Sequence, residues 1–163
     1  MKPLTEDEIR ASFVNATEED LERMPLPGLH ETVWEDREYL GWRDPANPLR
    51  GYIVHWSEGA DGERPVGILV RTVGPHRGRG SAMCSLCHTT QPLTQVSLFS
   101  APKAGAAGRR GDTLGTYICE DLACSHIIRM APPHLQASAD LERRAAGLLG
   151  RVQSFTSDVL KTA

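Results

Sequence analysis

The sequence predicts an α+β protein with a small antiparallel sheet, short helices ahead of it and one long helix behind it. Three observations carry that expectation. Two capped acidic segments open the chain, segments of strand composition fill its middle, and beyond Ser138 an apolar residue recurs at every third or fourth position. At 163 residues, 40% apolar and 24% charged, the chain is the size of one ordinary domain and can bury a core.

The elements follow in order. In "LTEDEIRASFVNA", Thr5 can cap a helix and Glu8 can reach back to complete a capping box, with Ile9 and Phe13 on one face. "ATEEDLERM" repeats the device with Thr17 and Asp20, and the prolines of "MPLPGL" stop the helix. A turn-rich entry built on Gly41, Pro45 and Pro48 then leads into a strand from Gly51 to Trp56. "SEGADGE" has hairpin-loop chemistry, and "RPVGILVRTV" is the returning strand. "QVSLF" and "TLGTYIC" are two more strands, joined by "SAPKAGAAGRRGD", whose Gly and Ala would tolerate disorder. From Ser138, the expected cap, Leu141, Ala145, Leu148, Leu149, Val152, Phe155 and Val159 form an apolar stripe, with Arg143, Arg144 and Arg151 off it.

Residues 1–40 hold eleven Asp/Glu against four Lys/Arg, and the remainder ten against fourteen. The chain therefore divides into an acidic N-terminal helical arm, 1–40, and a domain spanning 41–163. Two solvated faces of opposite sign would explain the asymmetry. So would a basic region for phosphate or an acidic partner, flanked by an arm that limits nonspecific adhesion. The opening residues lack the apolar core of a signal peptide, and no run approaches a bilayer's thickness. The expected location is the cytoplasm, where thiols stay reduced and structural disulfides are rare.

All four cysteines lie in one stretch, as a C-x2-C pair, Cys84 and Cys87, and a C-x4-C pair, Cys119 and Cys124. Two such turns can aim four thiolates at one point, a closed set that suits structural Zn2+. The first knuckle is followed by a polar turn and a strand rather than the helix of a thioredoxin-like motif. A zinc deaminase needs H-x-E, which is absent. An iron–sulfur cluster uses the same four donors. His88 and His126 adjoin ligands, but the set is complete without them. A knuckle, a hairpin and a helix, "CSHIIRM", carrying the last ligand make a treble clef.

The residues "GWRDP…GYIVHW", "VGILVR", "CSLCH" followed by "QVSLF", and "GTYICEDLACSHIIR" run in order from about Gly41 to Arg129. They resemble the treble-clef zinc-binding domain of the elongation factor G-binding proteins, the fusidic-acid-resistance type. The resemblance implies Zn2+ on Cys84, Cys87, Cys119 and Cys124, and elongation factor G as partner through the finger's exposed face. Two departures are visible: the arm is short where the resistance proteins carry a helical domain, and the last knuckle is one residue shorter.

Candidate contact residues are Tyr117, just before a ligand; Phe99, at the end of "VSLF"; Arg77 and Arg79 in "HRGRG"; and Arg109 and Arg110 between the knuckles. Half-buried or core aromatics and solvated arginines are the alternatives. No catalytic constellation stands at recognisable spacing, so the expectation is a non-enzymatic, translation-associated protein that binds elongation factor G near the ribosome. The alternative is a zinc-stabilised module for RNA or the ribosome, with affinity from phosphate contacts.

Overall fold

Thr5 and Thr17 open the first two helices in the computed structural model, which describes residues 1–60, 62–74, 78–130 and 138–161. α1 (Glu6–Ser12) and α2 (Glu18–Glu22) each carry a complete capping box. Thr5 N–H donates to the Glu8 carboxylate at 2.8 Å, and Thr17 N–H to that of Asp20 at 3.2 Å. These reciprocal bonds satisfy amides that a helix start leaves unpaired.

Strands β1 (Leu40–Arg43), β2 (Arg50–Gly59), β3 (Gly62–Thr72), β6 (Val96–Pro102) and β7 (Thr113–Cys119) form one antiparallel sheet in the order β1-β2-β3-β6-β7. β4 (Ser81–Met83) and β5 (Thr90–Pro92) form a separate hairpin. Where the sequence predicts a turn-rich entry at Gly41, the structure has strand β1. Asp44 explains the turn that follows: its carboxylate accepts from Ala46 N–H at 2.8 Å and Asn47 N–H at 3.2 Å.

Alternation along the strands gives the sheet two buried faces. One carries Leu40, Trp42, Tyr52, Val54 and Leu69, which pack with Leu4, Ile9 and Met24 of the arm. Phe13 meets Trp42 and Tyr52 edge-on, and those two rings stack at 5.0 Å. Asn15 continues the docking: its side-chain amide accepts from Leu69 N–H and donates to the Leu69 and Pro102 carbonyls.

The other face carries Ile53, Ile68, Val70, Phe99 and Ile118, which share a core with Leu148, Val152, Phe155 and Val159 of α5 (Ser138–Leu160). The apolar stripe read from the sequence is thus the docked face of α5, apart from Leu149, which lines a surface concavity instead. The side chain of Ser138, its expected cap, lies outside the described residues. The segment between β6 and β7, expected to tolerate disorder, instead holds α3 (Gly105–Arg109). Buried Ala104 and Ala107 seat it, and Ala104 N–H donates to the Val159 carbonyl at 2.9 Å. Small side chains here permit close packing rather than freedom.

Candidate metal centre

The four cysteines reach one point by two routes. Cys84 and Cys87 lie on the turn between β4 and β5; Cys119 ends β7, and Cys124 opens α4 (Cys124–Ile127). Their sulfurs all lie within 4.8 Å of one another, all four residues are buried, and none is in a disulfide. Cys84 Sγ stands 3.7 Å from Cys124 Sγ, and Cys87 Sγ 3.6 Å from Cys119 Sγ. A tetrahedral zinc with bonds of about 2.3 Å has edges of roughly 3.8 Å. The donor set therefore fits one such ion.

Polar groups around the sulfurs orient them, as outer partners do in metal sites generally. The amides of Leu86 and Cys87 both approach Cys84 Sγ at 3.4 Å, and Gln91 Nε2 donates to Cys119 Sγ at 3.0 Å. Sulfurs this close oppose one another's ionisation. Contacts with Cys119 and Cys124 drive the Cys87 thiol far below its ordinary range, while contacts with Cys119, Cys84 and Cys87, then burial, push Cys124 well up. A divalent ion allows all four to ionise together. His88 and His126 are exposed and outside this group.

The second knuckle rests directly on the sheet. Leu122, at φ 58°, is buried there, and its carbonyl accepts from Tyr39 Oη at 2.7 Å. Burial, then the charge at Cys124, raises the Tyr39 pKa well above its ordinary value, so the phenol remains a donor. A Cβ on Gly41 would stand 2.5 Å from the Leu122 carbonyl oxygen, and one on Gly51 would stand 2.7 Å from Leu122 Cδ1. These two glycines are the seat of the knuckle. Arg43 fastens its far side, donating to the Glu120 carbonyl and, at 3.0 Å, to the Glu120 carboxylate, which also accepts from Ser97 Oγ. The C-x4-C spacing shows the knuckle, but not what it stands on. Glycine inside an otherwise β-like run was the available signal.

The candidate contact residues separate. Tyr117 is exposed, directly opposite exposed Leu98. Phe99 is fully buried beneath the Arg43 guanidinium, 5.0 Å from the ring centroid. As a contact residue it is therefore corrected: its ring belongs to the core. Arg79, Arg109 and Arg110 are exposed, with Arg110 3.9 Å from Asp112, while Arg77 lies outside the described residues. A concavity of about 490 Å³ lined by Trp56, Glu58, Glu63 and Leu149 includes none of the cysteines. Among the described residues no helix is long and apolar enough to cross a membrane.

The model of one family, the FBP C-terminal treble-clef zinc-finger, matches residues 8–159, from inside α1 to the last turn of α5. No curated protein and no solved structure matches the chain.

Proposed function

Because this chain belongs to the FBP C-terminal treble-clef zinc-finger family, we propose that it is a zinc-stabilised, non-enzymatic protein of translation that binds elongation factor G in the cytoplasm. The family name and the sequence resemblance both point to that partner. The observation that carries the reading is the closed sulfur set: four buried cysteines fill a tetrahedral ion's coordination and leave no position for a substrate or an activated water. Such an ion supplies folding energy and rigidity. It holds β7 and both knuckles in fixed relation, so Tyr117 is presented with little ordering cost on binding.

Elemental analysis of protein purified without added metal should give one zinc per chain; iron with visible cluster absorbance would overturn the metal assignment. Calorimetric titration against elongation factor G, with and without ribosomes, tests the partner. Tyr117→Ala should weaken binding by about 1–3 kcal/mol at unchanged zinc content. A second reading, a module for RNA or ribosome, is supported by exposed Arg79, Arg109 and Arg110. It takes precedence if the factor does not bind and RNA does, with affinity falling steeply in salt.

A further inference from the structure

The arm covers only part of its face of the sheet. Directly paired residues share a face, and the register carries Arg50, Arg71, Ser100 and Gly115 across four strands in one row. On one side of that row Tyr52 and Leu69 are paired and buried beneath the arm. On the other side Leu98 and Tyr117 are paired, 42% and 43% exposed, and Val73, just past β3, is 93% exposed. The arm's cover ends at the arginines, and an apolar stripe continues beyond them.

Charge distinguishes the two sides of that border. Arg50 and Arg71 stand directly opposite, an arrangement of like charges that a sheet disfavours. One carboxylate serves both: Asp20 of α2 lies 3.3 Å from Arg50 and 4.0 Å from Arg71. Arg50 also adjoins the Tyr52 hydroxyl, which lies 3.5 Å from the Asp44 carboxylate, so Arg71 is the less compensated of the two. It faces outward, with its side chain 54% exposed against 21% for Arg50.

We propose that the exposed half of this face that the arm does not reach, Leu98 and Tyr117 with Val73 beside them and Arg71 at the border, is a docking surface. Its occupant is a protein surface with an apolar centre edged by Asp or Glu. The proposal rests on the binding role argued above and specifies the chemistry of the surface that the partner must present. Two of the three apolar side chains are aliphatic and offer no plane on which a base could stack, and one outward arginine is few for a phosphate backbone. A protein fits better than RNA. The apolar pair should govern dissociation, and Arg71 the association rate and its salt dependence.

The test uses the full zinc-loaded chain, titrated with elongation factor G. Leu98→Ser should weaken binding at least tenfold, and Leu98→Glu more, because it sets a carboxylate against carboxylates. Arg71→Gln should cost about three- to tenfold and flatten the salt dependence. Arg143→Gln, on the helix that covers the opposite face, should bind as wild type, and all four variants should keep their melting temperatures. If the factor binds every variant equally, the docking surface is wrong while the partner stands. If the factor does not bind wild type, the partner is wrong. A synthetic peptide alternating Glu with Leu and Phe then decides the surface, read from amide shifts in β6 and β7. Shifts at Leu98 and Tyr117 that Leu98→Ser abolishes sustain the surface. No shifts, shifts elsewhere, or binding of oligouridylate alone overturns it.

Discussion

Gly41 illustrates how much a single absent methyl group can carry. It lies in β1, where most side chains would be tolerated, yet the second knuckle is folded onto it. Gly41→Ala would press a Cβ into the Leu122 carbonyl and the Tyr39 ring, at 2.5 and 2.6 Å, so backbone or ring must shift. Destabilisation of about 1–3 kcal/mol is expected from overpacking, measured by urea denaturation, with a weaker grip on zinc measured by competition with a chelator. Gln91 and Tyr39 belong to the same hidden set. Nothing in their sequence surroundings marks them as neighbours of sulfur, because contacts to Cys119 and Leu122 are made by the fold and not by spacing. The cysteines themselves were legible, since two short turns bring each pair together locally and only the meeting of the pairs depends on tertiary structure.

At the scale of elements, local signals were readable wherever they were sufficient. The capping boxes at Thr5 and Thr17, the stripe of α5 and the strands β6 and β7 all appear as their residue patterns imply. β1 was hidden by its glycine and the following prolines, and α3 by composition that suits either a loop or a tightly seated turn. The docking of α5 gives a direct contrast. Leu148 is fully buried, so Leu148→Asp should destabilise by about 3 kcal/mol or more. Arg144→Ala, away from the stripe's centre, should change melting temperature little. Equal effects would mean that α5 is not part of the core. His55 of β2 joins the same contact: its Nδ1 faces the Trp56 carbonyl at 2.9 Å and therefore donates, and Nε2 lies 2.7 Å from the Thr156 hydroxyl of α5. Burial lowers the pKa of this imidazole despite the bond to Trp56. The unfolded chain thus takes up a proton near pH 6.5 that the folded chain refuses. Stability from this residue is fully present above that pH and declines as pH falls towards the folded value. Denaturation midpoints at a series of pH values should show the decline in the wild type and a smaller one in His55→Gln.

For the whole molecule, the sulfurs and α5 belong to one continuous core, with Leu86 and Leu122 among the residues between sheet and helix. Arg151 of α5 donates through Nε to the Leu86 carbonyl inside the first knuckle. Metal removal by a chelator under reducing conditions should therefore lower the melting temperature of the entire chain in one transition, followed by circular dichroism, rather than releasing a finger from an intact remainder. Two separate transitions would show that sheet and finger are energetically independent. The placement of α5 after the finger also has a consequence during synthesis. A growing chain presents all four thiols before residues 148–159 have left the ribosome, so for that interval the sulfurs lack the helix that completes their core. Loading of the ion and oxidation of the thiols then compete in time, and the helix closes over whichever came first. With zinc supplied to both, ribosome-stalled chains whose cysteines have emerged while α5 is still in the exit tunnel should react readily with an alkylating agent, and chains extended by a linker that brings α5 out should resist it. Equal reactivity at both lengths would show that the helix offers the site no protection.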